Sequence, residues 1–265
     1  MEFRLATTSE TRGRVAANGR LLVFTLDARS AARRHPLLPP AHRSEEVHLR
    51  SACFDAVVDA GRATGLDVVV SSPAAPRVAD VFWHPQGTGS FGERLSRAIA
   101  EADGEGALLV VGTDSPGLGA THFEQALGLL ARDPDAVVLG PSRDGGFYLL
   151  ATARPLGNTL EHVPWCGPRV REALVAALRR SGRRVHFLAP LLDLDGPADL
   201  RRWLHQEDAP ATTVAAIAAS LRRLIAELRR WLPEAPCVLR DFLLARSSFG
   251  RGPPSPAGLP DPSVS

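Results

Sequence analysis

Hydrophobic and polar positions change period repeatedly along this chain. Leu21–Leu26 is a short apolar run of strand length, and Asp67–Ser71, Ala107–Gly112, Ala136–Leu139, Phe147–Thr152 and Val185–Leu188 repeat that pattern. Between them lie stretches with helical spacing. Glu45–Ala63 carries Val47, Ala52, Phe54, Val57 and Val58 along one side. Ser90–Ala102 opens with Ser90 and Glu93, three residues apart, the signature of a capping box. Thr121 and Glu124 repeat that spacing before a helix to Ala131, and Pro168–Arg180 and Pro197–Leu204 read as two further helices. Strands alternating with helices of about ten residues imply crossover connections. The fold class expected is α/β: a three-layer α/β/α domain with a mostly parallel mixed sheet.

The pattern weakens at both ends. Residues 1–19 show no clear period and read as a tail. The alternating region, 20–206, is the expected catalytic domain. Residues 207–246 read as a helical extension, because Val214, Ile217, Leu221, Leu224, Ile225, Leu228 and Trp231 form a seam at three-four spacing over 212–232. That seam is expected to pack on its own domain, with a homodimer or partner contact as the alternative. From 247 to 265 Pro, Gly and Ser dominate, which predicts disorder.

Composition narrows the chemistry. The 265 residues include 31 basic and 29 acidic side chains, with 45% hydrophobic positions. This near balance argues against a nucleic-acid binder. All 31 basic residues are Arg. A lysine Schiff base and a P-loop lysine are therefore excluded, whereas guanidinium binding of phosphate is not. Cys53, Cys166 and Cys237 form no CxxC pair, so neither a zinc knuckle nor a disulfide framework is legible, and reduced thiols are expected. No apolar run approaches the ~20 residues of a membrane span, and no secretory h-region opens the chain. The expected location is cytoplasmic.

Ligands of such sheets bind beyond the carboxyl ends of the strands, so chemistry is sought just after each strand. Val110–Leu118 ends an apolar strand in Gly-Thr-Asp-Ser-Pro, which sets the Asp114 carboxylate at that edge. A hard cation shared with phosphate oxygens would suit it, and so would a simple turn. Asp144-Gly-Gly146 joins two strands as a hairpin signal, or lets a substrate approach the backbone while Asp144 meets a hydroxyl. Asp193 and Asp195 follow the last strand, and Asp195 would also serve as a helix cap before Pro197. Gln86–Arg94 sets glycines before a helix N-terminus, a weak anion-site signal.

In this order and spacing, Gln86–Arg94, Gly112–Pro116, Gly140–Leu149, Pro164-Trp165 and Asp193–Leu200 resemble a family of bacterial glycosyltransferase-like proteins associated with arsenosugar biosynthesis. More distantly they resemble guanylyltransferases acting on molybdopterin or phospholactate. The resemblance covers roughly 20–205 and implies the type-A nucleotide-diphospho-sugar transferase fold. It implies Mg²⁺ or Mn²⁺ at Asp114 and Asp195, catalytic roles for Asp114 and Asp144, and a nucleotide-sugar donor with a small-molecule acceptor. Nucleotide or substrate contacts are implied for Arg33, Arg34, Gln86, Gly92, Arg94, Thr113, Ser115, Gly145, Gly146 and Trp165. The chain departs from the family after the first strand, where Thr25–Pro36 has lost the expected lysines and glycine; Ser90 and Gly196 replace an acid and a threonine. A nucleotidylyltransferase, which wants a glycine-rich basic loop there, and a non-catalytic nucleotide-binding or interaction protein are the alternatives.

Overall fold

The computed structural model describes residues 19–161, 163–167 and 169–204. The strands are β1 (Gly19–Phe24), β2 (Asp67–Ser72), β3 (Phe82–Pro85), β4 (Ala107–Val111), β5 (Val137–Pro141), β6 (Phe147–Thr152) and β7 (Val185–Phe187). The helices are α1 (Ala28–Arg34), α2 (Arg43–Ala63), α3 (Phe91–Ala102), α4 (Ala120–Arg132), α5 (Val170–Arg180) and α6 (Pro197–Leu204). The seven strands form one sheet in the order β3-β2-β1-β4-β6-β5-β7, with only β6 antiparallel to its neighbours.

Successive side chains of a strand face opposite sides, and both sides here are covered. Leu21 and Val23 of β1 pack with Val57, Val58, Phe123 and Ala126 of α2 and α4. Leu22, between them, packs with Leu95, Ala98, Leu174 and Leu178 of α3 and α5. This explains why β1, β2 and β4 read as unbroken apolar runs. At Gly61 a Cβ would stand 2.5 Å from Leu21 Cδ2, so α2 approaches β1 closely enough that a side chain there would have to displace Leu21. A third cluster sits beside these layers. Leu37 and Leu38, after α1, meet Leu49 and Cys53 of α2 and Leu192, Leu194, Leu200 and Trp203 near and within α6.

Two elements were not expected. α1 occupies the stretch that departs from the family loop; Asp27 caps it by accepting the Ser30 N–H at 2.9 Å. β3 adds a parallel edge strand, with Phe82 and Trp83 exposed. One expected cap is corrected. α4 begins at Ala120, and its Gly119 N–H donates to His122 Nδ1 at 3.3 Å. Thr121 therefore lies inside the first turn and does not cap the helix. The capping box at Ser90 is present as expected, with reciprocal bonds to Glu93. Among the described residues no helix is long and apolar enough to cross a membrane. The expected tails, and the 212–232 seam, lie outside the described residues.

Candidate functional site

The carboxyl edge of the sheet is organised around Asp114. Strand β4 delivers Gly112-Thr-Asp-Ser there, and the segment after β7 returns to it: the Leu194 N–H donates to Asp114 O at 2.8 Å. Upstream, the Arg143 N–H donates to Leu191 O and the Leu191 N–H to Pro141 O. These bonds hold residues 191–194 against the end of β5. Asp193 and Asp195, flanking the buried Leu194, thereby reach the same cavity as Asp114 and Asp144.

That cavity has a volume of about 340 Å³. Four carboxylates line it, from Asp114, Asp144, Asp193 and Asp195, and among the described residues no Arg or His side chain does. Its other wall is aromatic. The Phe91 and Phe24 rings meet edge to face at 5.5 Å, Phe91 and Trp165 also lie 5.5 Å apart, and Phe147 stands 6.3 Å from Trp165. Trp165 donates its ring N–H to Leu160 O at 3.2 Å. Gly92 is what admits this ring, because a Cβ there would come within 2.4 Å of Trp165 Cδ1.

The acids differ in environment. Asp144 Oδ1 accepts from Ser142 Oγ at 2.6 Å and from the Gly146 N–H at 2.9 Å. Gly145, at φ 101°, closes that turn. The expected hairpin turn is present, and Asp144 also lines the cavity. Asp193 accepts from Ser115 Oγ, so Ser115 orients an acid from its buried position. Burial pushes the Asp193 carboxyl up to about 6, with Asp144 and Asp114 adding repulsion against the Ser115 and Ser142 bonds. Asp195 is pushed to about 7, first by burial and then by Asp144, Asp193, Asp114 and Asp199. Asp195 does not cap α6, whose first amide bonds run to Gly196 O.

Asp114 has a cationic partner that the sequence reading missed. Arg50 of α2 donates from Nη1 to Asp114 Oδ1 at 3.0 Å, from Nε to Glu46 Oε1 at 3.2 Å, and from Nη2 to His35 O. Glu46 is fully buried and its other oxygen accepts the Leu38 N–H at 3.1 Å. Loss of water raises the Asp114 pKa, while Arg50 and His35 pull it back. The signal was legible: Glu46 and Arg50 stand four apart on the stripe that also bears Leu49, Cys53 and Val57. Two charges on a buried stripe rarely occur unpaired.

The remaining expected residues divide. Thr113 Oγ1 pairs with Thr25 Oγ1 at 2.7 Å. Gln86 is buried; its Nε2 donates to Thr25 O at 2.9 Å and Ser71 O at 3.0 Å, and its Oε1 accepts from Arg94. Gln86 and Arg94 therefore tie β3 and α3 to the end of β1 and line neither the acid-lined cavity nor a second one beside Asp114, of about 620 Å³, between α1, α2 and the loop from β2 to β3. Arg33 and Arg34 lie exposed on α1, also outside both cavities, and Arg33 bonds Ser30 Oγ at 3.0 Å.

Among the described residues no three His, Cys, Asp or Glu side chains stand close enough to hold a metal ion. The expected pair, Asp114 and Asp195, would supply two carboxylates. That number suits Mg²⁺, which ordinarily takes one or two carboxylates and completes its octahedron with substrate phosphates and water.

Residues 53–167 match the model of a family described as uncharacterized proteins conserved in bacteria, DUF2064. The DUF2064 match runs from within α2 to just past Trp165 and includes Gln86, Asp114 and Asp144; Arg50, Asp193 and Asp195 lie outside it. No curated protein matches the sequence. Among solved structures, a "putative nucleotide-diphospho-sugar transferase" from Desulfovibrio desulfuricans G20 superposes with a TM-score of 0.65 at 18% identity, covering 79% of this chain and 97% of that one. At that identity the likeness establishes the fold: this chain has the nucleotide-diphospho-sugar transferase architecture. Rv0371C from Mycobacterium tuberculosis H37Rv, in complex with manganese, matches at TM-score 0.46 and 15% identity over 71% of this chain and 99% of that one. A cytidylyltransferase from Leptospira borgpetersenii serovar Hardjo-bovis (strain JB197) matches at 0.45 and 10%, over 78% and 95%. Those two are too remote to bear on chemistry here.

Proposed function

We propose that this protein is a metal-dependent glycosyltransferase that moves a sugar from a nucleotide-sugar donor to a small-molecule acceptor. The observation that carries the reading is the cavity at the sheet's carboxyl edge, lined by four carboxylates and an aromatic wall and, among the described residues, by no basic side chain. A hydroxyl-bearing acceptor finds carboxylate acceptors on one side and an apolar surface on the other. Asp144 orients the attacking hydroxyl and takes its proton as sugar transfer proceeds; its turn, fixed by Ser142 and Gly146, holds the carboxylate in place. Asp114 and Asp195 would hold Mg²⁺ or Mn²⁺, which when bound would supply Lewis-acid neutralisation of the leaving diphosphate. Arg50, bonded to one Asp114 oxygen, leaves the other for that role. Ser115 fixes Asp193 beside them.

The test is release of nucleoside diphosphate from UDP-, GDP-, CDP- and dTDP-sugars by the full chain with Mn²⁺, water standing in for the acceptor. Metal-dependent release from one donor, abolished in Asp114→Asn, is the expected result. Pyrophosphate release from a nucleoside triphosphate and a sugar phosphate would instead assign nucleotidylyl transfer. Neither release would leave a binding protein.

A further inference from the structure

The outer face of α4 is bare at its centre. Gln125, Gly128 and Arg132 recur there at three- and four-residue steps. With Leu129, and with Phe187 and Leu188 at the end of β7, they line an open groove of about 550 Å³. Leu188 turns inward to the core, but Phe187 is 49% exposed. The other large apolar side chains exposed among the described residues, Phe82 and Trp83, stand on β3 at the opposite edge of the sheet. Gly128 is the odd residue of the groove. A glycine inside a helix costs stability relative to alanine and suits a place where another group approaches the backbone closely. Gly61 of α2 is such a place, with Leu21 where its Cβ would be. At Gly128 no described atom lies within 4 Å of the position a Cβ would take. Among the described residues, then, nothing accounts for a glycine in the middle of this 13-residue helix.

We propose that the apolar seam of residues 212–232 of the same chain occupies this groove and covers Gly128 and Phe187. Reach favours it. The described fold ends at Leu204 of α6, in one cluster with Leu192 and Leu194. Leu192 stands only three residues after Ala189, which lines the groove. Three residues span at most about 11 Å, and the seven residues 205–211 at most about 25 Å. Length favours it as well, since 21 residues at helical rise extend about 32 Å, against about 20 Å for α4. So does shape. Between Val214 and Leu221 every residue off the seam is alanine or serine, so this half of the segment can bring its backbone close to a glycine. A second copy of the chain fits less well. Stable protein pairs ordinarily bury about 800 Å² per partner, and this groove offers one large exposed apolar side chain. A tethered segment needs less surface, because a short linker holds it at an effective concentration of about millimolar.

The experiment is timed trypsin digestion of the full chain under native conditions, with mass spectrometry reading cleavage after Arg222, Arg223, Arg229 and Arg230. Gly128→Gln and Phe187→Asp put bulk and charge into the groove. Leu221→Asp/Leu228→Asp changes the seam and leaves every described residue as it is. The expected result is cleavage at least tenfold faster in each of the three variants than in the unaltered chain, with no further gain when Gly128→Gln is added to the seam variant. Thermal unfolding gives a readout of opposite sign for an empty groove. Glutamine is the better helix former, so on a bare surface Gly128→Gln raises the midpoint; under a docked segment it lowers it. A raised midpoint with unchanged cleavage, or equal cleavage in all the proteins, overturns the proposal. So does an unaltered chain that sediments as a dimer and becomes monomeric in Phe187→Asp, which would assign the groove to a second copy.

Discussion

At the scale of single residues, the buried Glu46–Arg50 pair, which reaches the exposed Asp114, couples stability to the site. Removing one member of a buried ion pair strands its partner's charge, at about 3–5 kcal/mol, whereas replacing both partners by apolar groups is often neutral. Arg50→Met is therefore expected to lose about 3–5 kcal/mol in urea unfolding. Glu46→Leu/Arg50→Met recovers most of it, short of the part contributed by Asp114; a double variant no better than the single would refute the pairing. Gly92 makes a second residue-scale case. The Cβ of Gly92→Ala would lie 2.4 Å from the Trp165 ring, and overpacking of this kind costs about 1–3 kcal/mol. Because that ring forms the aromatic wall, altered tryptophan emission is expected along with the lower midpoint, and an unperturbed spectrum would mean that the ring does not rest on α3.

At the scale of elements, the segment after β7 brings two acids to a place already negative. Both Asp193 and Asp195 titrate higher folded than free, at about 6 and about 7. Between about pH 4 and pH 7 the folded chain holds more protons than the unfolded one, so stability falls as pH rises through that window. The loss is complete once pH exceeds the folded values, and none of it is present below the unfolded ones. Chemical unfolding of the metal-free chain at pH 4.5 and pH 7.5 should show this slope, flattened in Asp193→Asn/Asp195→Asn and by added Mn²⁺; a slope unchanged in the double variant would contradict the clustering. The same scale explains what the sequence made legible. The interior strands, buried on both faces, announce themselves as apolar runs, and Ser90–Glu93 marks the start of α3. β3 hides because it is a sheet edge, with Phe82 and Trp83 exposed and Pro85 at its end, a residue tolerated only where an amide need not join the ladder. α1 hides because its seven residues bury only Ala31 and Ala32. Of the site, Asp114, Asp144 and Asp195 were readable from their places after strands. Arg50 was not sought because it belongs to a helix.

At the scale of the whole molecule, charge is sorted on either side of one carboxylate. Among the described residues, the only charged side chains lining the cavity toward α3 and α5 are acids, whereas a second cavity toward α1 and α2 is lined by Arg29, Arg50 and Arg77 together with Asp27, Asp55 and Asp114. A net charge of +2 conceals this separation, since both signs are nearly equal in number over the chain. If the two spaces receive two different ligands, substitutions on one side should spare binding on the other. Asp144 lines only the acid side, and its contacts are local, to Ser142 and Gly146. Asp144→Asn keeps the shape of the turn, because an amide oxygen still accepts from the Gly146 N–H, but it removes the base. Loss of a positioned general base typically costs about 10²–10⁴-fold in rate. Turnover is thus expected to fall by about that factor, while the affinity for nucleoside diphosphate stays within twofold of the unaltered chain. A parallel loss of nucleotide affinity in Asp144→Asn would mean that one ligand spans both spaces, and the division at Asp114 would not hold.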